Sequence, residues 1–177
     1  MIETSRLILR PWRDDDREPF WAMACDSLVM EYLPPLTRAE SDAAVDRMIA
    51  TEREHGHVFW AIEHKAESNF IGFCGILPPR PPVLEYEIGW RLAHHAWGQG
   101  FAREAAEASL GWAWENLSVP AIIAMTNLAN TRSWGLMERL GMIRHPNEDF
   151  DHPALAEGDP LRPHILYRIH RPSAAAV

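Results

Sequence analysis

The sequence predicts a mixed α/β domain built on one core, and three observations carry that prediction. Runs rich in β-branched and aromatic residues alternate along the chain with segments whose apolar residues recur at helical spacing. The 177 residues are about the length of one domain, since domains typically hold ~100–200 residues. Apolar residues make up 47% and charged residues 24%, which is ordinary globular usage and excludes a disordered or fibrous chain. One domain is expected over 1–171, with a flexible tail over 172–177, and neither an internal repeat nor a dividing linker is present.

Taken in order, RLILR (Arg6 to Arg10) reads as a short strand stopped by Pro11. DDDREPFWAMA then places acidic residues at the start of a helix, where they complement its dipole. Thr37-x-x-Glu40 is a capping box ahead of Ala44, Met48 and Ile49, so a second helix is expected from Thr37 to about His55-Gly56. HVFWAIEH and NFIGFCGIL read as antiparallel strands joined by KAESN. LPPRPPV holds four prolines in seven residues and is expected as a stiff loop at a sheet edge. In LEYEIGWRL, Leu84, Tyr86, Ile88, Trp90 and Leu92 share one face of a strand, and Glu85, Glu87, Gly89 and Arg91 the other. A helix from Phe101 to about Leu117, a buried strand AIIAMTN, a short helix in NTRSWGLMERL ended by Gly141 and a last strand HILYRIH complete the set.

Composition narrows the function. A net charge of −8 and a pI near 5.5 argue against general nucleic-acid affinity, which needs a clustered basic face. Cys25 and Cys74 stand far apart, outside any C-x-x-C pair, so neither a disulfide framework nor a zinc knuckle is expected. Nine histidines without H-E-x-x-H or comparable spacing give no metal site. No charged leader and no run of ~18 apolar residues occurs, and the chain reads as a reduced, soluble, cytoplasmic protein.

The segment HAWGQGFA sets Gly98 and Gly100 between a strand and a helix. Such a turn aims free backbone N–H groups and a helix dipole at one point, where a diphosphate fits, and glycine lets it approach the main chain. A dinucleotide-binding turn is disfavoured, because Arg103 stands where the third glycine would be and no acidic residue ends a strand about 20 residues on. A P-loop fails for want of Gly-Lys-Ser/Thr. An alternative is that the glycines only turn the chain.

EIGWRLAHHAWGQGFAREA followed by TNLANTRSWGLMERLGM resembles the core of the GNAT-type N-acetyltransferases, and ETSRLILRPW resembles their Rim-type branch, which acetylates ribosomal-protein N-termini. The resemblance spans Glu3 to Tyr167. It implies a GNAT fold, with about four helices around a mostly antiparallel, splayed sheet of about seven strands. It implies acetyl-CoA as co-substrate and a primary amine as acceptor, either a peptide N-terminus or a small cationic amine such as a polyamine, aminoglycoside or amino acid. It also makes a homodimer an expectation.

Residue by residue, the coenzyme pyrophosphate signature falls on His95, Gly98 and Gly100, with Gln99, Phe101, Ala102 and Arg103 alongside; His95 departs from the usual Gln or Arg. The pantetheine arm is implied along Trp90, Arg91 and Leu92, through main chain, as an added strand, with N–H near Leu92 polarising the acetyl carbonyl. Asn127 and Asn130 match the family's coenzyme-bonding Asn; Asn is also a common helix cap, an alternative that stays open for Asn127, while Asn130 is read as a coenzyme contact. Met137 occupies the position of a Tyr that protonates the leaving thiolate in many relatives, and Ser133 is the hydroxyl implied in its place. Glu87 is expected as the base, with Glu85 as a second acid raising its pKa; the alternative is a solvated strand face. The acidic segment from His145 to His164, five acids against one Arg, is expected to border the acceptor groove and favour a cationic amine. Two other classes remain open: an acetyl-CoA sensor without turnover, and a nucleotide- or phosphate-binding protein that uses the same nest.

Overall fold

A computed structural model of the protein describes residues 1–173. In chain order the elements are β1 (Ile2–Glu3), β2 (Leu7–Arg10), α1 (Arg17–Ala24), α2 (Arg38–His55), β3 (Phe59–His64), β4 (Asn69–Leu77), β5 (Glu87–Leu92), α3 (Phe101–Asn116), β6 (Ala121–Asn127), α4 (Thr131–Arg139), β7 (Ile143–Arg144), β8 (Phe150–Asp151) and β9 (Pro163–His170). All nine strands lie in one sheet of order β1-β2-β3-β4-β5-β6-β9-β7, with β8 also on β9. Every pairing is antiparallel except β5 with β6.

The four helices and six longer strands fall where the periodicities put them. The capping box forms as expected: Glu40 N–H donates to the Thr37 hydroxyl, and the Glu40 carboxylate accepts from the Thr37 N–H at 2.7 Å. Strands β1, β7 and β8 are additional; two residues are too few to show a period.

Two expectations are corrected. The strand in LEYEIGWRL begins at Glu87, not Leu84, and Leu84 is 73% exposed rather than on the core face. LPPRPPV does not lie at a sheet edge. It joins the central strands β4 and β5 beyond their ends, where no ladder donor is required of a proline. Of the tail over 172–177, residues 174–177 lie outside the described residues.

The pleat sorts the two faces of the sheet. Cys74 pairs with Trp60 and Trp90 and reaches Ser109 of α3, so that row faces α3. Phe73 pairs with Arg91 and packs against Phe20 of α1 at 6.1 Å between rings, so the odd-numbered row of β5 faces α1. At the far end, Arg171 donates to the carbonyls of Trp114, Leu117 and Val119, and so caps the C-terminus of α3.

The N-terminal segment is pinned to the start of α3 by one carboxylate. Glu104 accepts from the Thr4 hydroxyl at 2.6 Å, the Ser5 hydroxyl at 3.0 Å, the Arg6 N–H at 2.9 Å and the Arg6 guanidinium at 2.7 Å. Burial opposes the charge, but the hydrogen bonds from Thr4, Arg6 and Ser5 outweigh it and hold the carboxyl at about 2. A depressed carboxyl stabilises above its ordinary 4.5, and the effect is lost as pH falls toward about 2. Glu104→Ala is therefore expected to cost about 1–2 kcal/mol in urea unfolding at pH 7, because Thr4, Ser5 and Arg6 lose a shared, charged acceptor. The difference from wild type should shrink as pH falls below 4.5.

Candidate active site

Strands β5 and β6 meet at a single register position, Glu87 with Ile123, supported by the Ile123 N–H donating to the Tyr86 carbonyl at 2.9 Å. Beyond it they splay. The Ala93 N–H donates across to Ile71 in β4, so alternation along an antiparallel ladder turns the main-chain groups of Trp90 and Leu92 away from β4 and into the splay. The Leu92 carbonyl is taken by the Trp97 indole N–H at 2.8 Å. That leaves the Trp90 main-chain groups and the Leu92 N–H facing a cleft of about 890 Å³.

The strand leads through a 3-10 turn, His94–Ala96, into the glycine turn. Gly98 has φ 73° and Gly100, the N-cap of α3, has φ 82°, a left-handed conformation that explains glycine at both. No heavy atom lies within 4 Å of a Cβ built on Gly98, and at Gly100 the nearest is the Arg6 guanidinium at 3.5 Å, so the turn presents an open main-chain surface. The first N–H groups of α3 point there without helical acceptors. Arg6 also donates to the Gln99 carbonyl at 2.9 Å and lies 4.5 Å over the Phe101 ring, setting a cation beside the turn.

Of the residues picked out from sequence, Glu87, Ser133, Trp90, Arg91, Leu92, Gly98, Gly100, Phe101, Ala102, Arg103, Asn127 and Asn130 line this one cleft. Glu85, His95 and Gln99 do not. Glu85 precedes β5 and is held by the Arg168 guanidinium at 2.6 and 3.1 Å. Gln99 donates from its side chain to the His95 carbonyl at 3.0 Å, and the His95 side chain is exposed beside that turn.

Glu87 accepts from Arg80 of the proline-rich loop at 2.8 Å, with its side chain 13% exposed. Burial pushes its carboxyl above the ordinary range, against the pull of Arg80. The cause is therefore desolvation rather than a neighbouring Glu85. Asn127 is spent internally: its amide donates to the Pro160 and Pro163 carbonyls and its oxygen accepts from the Ala129 N–H. Asn130 caps α4, accepting from the Ser133 N–H at 3.2 Å, and donates to Thr126 at 3.1 Å. The Ser133 hydroxyl has no hydrogen-bond partner among the described residues, and Met137 beside it is buried and apolar.

The α1–α2 connection contributes Leu28, Val29, Tyr32 and Leu33 to the cleft, and the sheet contributes Phe59, Phe73 and Gly89. Arg132 bridges the wall, pairing with Glu31 and lying 4.7 Å over the Trp97 ring and 5.8 Å over Tyr32. Sequence reasoning missed Arg6, Arg80 and the cleft-facing Arg139. Their partners are set by folding, and no local spacing announces them.

The acidic segment does not supply the cleft's charge. Glu148 is paired with Arg168, Asp149 with Arg144 and Asp151 with Arg162, and His164 alone of residues 145–164 lines the cleft. Among the described residues, Glu87 is the only acid on the cleft wall, against Arg91, Arg103, Arg132 and Arg139.

A sheet that splays beside an open, glycine-built helix start sets a free strand edge and unpaired helix N–H donors side by side in one cleft. Residues 6–143 match the acetyltransferase (GNAT) domain, and the chain belongs to that family. It is similar to the uncharacterised protein YkkB of Bacillus subtilis, 30% identical over 80% of this chain and 84% of that one. A solved acetyltransferase from Agrobacterium tumefaciens is 27% identical, with TM-score 0.77 over 96% of this chain and 93% of that one. More distant structures share the fold alone. They include a RimL ribosomal-protein acetyltransferase in complex with coenzyme A (14% identity, TM-score 0.74, covering 94% and 95%). Another is a Vibrio cholerae spermidine N-acetyltransferase with CoA and spermine (18%, TM-score 0.74, covering 95% and 97%). Among the described residues there is no group of three or more His, Cys, Asp or Glu placed to hold a metal ion, and no helix long and apolar enough to cross a membrane.

Gly100→Glu would set a side chain in strained left-handed backbone and a negative charge where a diphosphate would sit. Calorimetry is expected to show acetyl-CoA affinity falling at least about tenfold, whereas Gln99→Ala, whose side chain points away, should bind as wild type.

Proposed function

We propose that this enzyme transfers the acetyl group of acetyl-CoA to a free α-amine, most directly that of a protein N-terminus, by direct attack in a ternary complex. The observation that carries this reading is Glu87: the sole acid among the described residues of an otherwise basic cleft, largely enclosed, and placed where β5 parts from β6. An α-amine, with a pKa of about 7.7–8.0, needs less help to lose its proton than a lysine near 10.4, and a single carboxylate acting through water suffices. The resemblance of ETSRLILRPW to the Rim-type branch favours a peptide end. The arginines on the wall, with none of the acidic segment's carboxylates lining the cleft, leave a polyamine only Glu87 as counter-charge.

Acetyl-CoA supplies the activated acyl group. As the acceptor nitrogen forms the amide bond, the carbon–sulfur bond breaks and the coenzyme leaves as its thiol. Main-chain N–H groups of the Gly98–Arg103 turn fit the diphosphate, and the unpaired edge at Trp90 and Leu92 fits a strand-like pantetheine arm. The Leu92 N–H is the donor facing the splay for the developing oxyanion. Glu87 accepts the ammonium proton, with Arg80 holding one of its oxygens and leaving the other for the relay. The Ser133 hydroxyl, unpartnered in the cleft, is the proton donor to sulfur; Met137 cannot serve. A thiol of pKa about 8.5 leaves tolerably without full protonation, so Ser133 assists rather than controls the step.

A base must be ionised to act, so a raised Glu87 pKa makes the rate climb with pH above the usual carboxylate range. Glu87→Gln is expected to lower kcat/KM about 10²-fold at pH 7, with partial recovery toward pH 9 as the amine deprotonates unaided. A pH–rate profile superimposable on wild type would remove Glu87 from the mechanism.

A further inference from the structure

One charged group enclosed by the cleft has no assigned work. Arg91 lies on the same face of β5 as Glu87, two positions beyond Gly89. Its guanidinium reaches only the Met30 sulfur, at 3.7 Å, and the face of Phe73, at 5.3 Å to the ring centre; it has no carboxylate partner among the described residues. The other cationic groups nearby differ: Arg80 pairs with Glu87, Arg132 with Glu31 and Arg103 with Glu107, while Arg139, also without an ion pair among the described residues, is exposed at the end of α4 and keeps its hydration.

Between the two charges, the floor of the trough is the Phe59 ring lying on the main chain of Gly89, where a Cβ would meet it at 2.5 Å. The surroundings are apolar: Phe59 and Phe73 stack at 5.7 Å, and Leu28, Val29 and Leu33 line the same cleft. A guanidinium in such surroundings without an anion is costly, since neither water nor a carboxylate fully replaces its hydration. Desolvation accordingly pulls Arg91 down to about 10. The trough thus offers an acid for the proton of an amine at one end and a desolvated, forked cation at the other.

We infer that Arg91 binds a carboxylate carried by the acceptor, making the preferred substrate an amine with an acidic group close to its nitrogen. The inference rests on the reading of Glu87 as the acceptor-side base, and it names the partner that reading leaves open. The carboxylate has two sources: the α-carboxylate of a free amino acid, or an acidic side chain just after a peptide N-terminus. Both meet the guanidinium through charge-assisted, two-point hydrogen bonds, which an ammonium ion in the same place cannot form.

The test measures thiol release from acetyl-CoA with matched acceptors: L-amino acids against their carboxamides, and short peptides with Asp or Glu at the second position against Asn or Gln. In one or both pairs the acid is expected to exceed its amide by about tenfold to a hundredfold in kcat/KM. The pair that shows the preference identifies the source. Arg91→Met should bring that ratio to within about twofold, through KM, and Arg91→Lys should restore part of it. Equal turnover of acids and amides by the wild-type enzyme would overturn the role of Arg91 while leaving the transferase intact, independently of any variant. Thiol release from no amine at all would overturn the transferase reading and this inference together.

Discussion

The single backbone contact between β5 and β6, at Glu87 and Ile123, is the constraint on which the site depends. Were these strands paired along their length, the main-chain groups of Trp90 and Leu92 would be satisfied by β6 and no edge would remain for a ligand. A parallel pair that parts after one position creates unpaired donors and acceptors in the middle of a sheet, where they are normally forbidden unless something else binds them. The fold prevents closure from both sides. Trp97 holds the end of β5 through its bond to the Leu92 carbonyl, and Asn127 ties the end of β6 to Pro160 and Pro163.

Charge is organised against the average of the chain. The protein carries −8 overall, yet its cleft wall holds four arginines and one glutamate. The surface acids are largely absorbed in ion pairs such as Glu85 and Glu148 with Arg168, which keep their fields away from the site. Low dielectric then strengthens the few charges that remain inside. Burial raises the Glu87 carboxyl toward the pH at which an amine gives up its proton, and it leaves Arg91 in need of an anion.

What the sequence disclosed was local. The Thr37–Glu40 box, the left-handed glycines at 98 and 100 and the cap at Asn130 involve partners three or four residues away, or a dihedral of one residue, and they were legible. Strict alternation in LEYEIGWRL sorted Glu87 and Arg91 onto one face correctly but overran the strand, because three further residues kept the pattern after the pairing had stopped. Partnerships across the fold left no trace in spacing. Arg168 captures Glu85 from 83 residues away, Thr4 reaches Glu104 from 100, and three of the acids of residues 145–164, Glu148, Asp149 and Asp151, turn out to be paired with arginines while none of the five lines the cleft. Charge counted along a segment therefore misjudged the acceptor groove, since composition does not say which side chains face it.

The central claim is that acetyl-CoA occupies the splay as an added strand, with its diphosphate on the glycine turn. Amide hydrogen exchange followed residue by residue, with and without acetyl-CoA, tests it directly. The amides of Trp90 and Leu92, which have no partner across the splay, are expected to exchange quickly in the free protein and to slow on binding together with those of Gly98 to Arg103. Slowing confined to the turn, with Trp90 and Leu92 exchanging at their free rates under saturating acetyl-CoA, would contradict it.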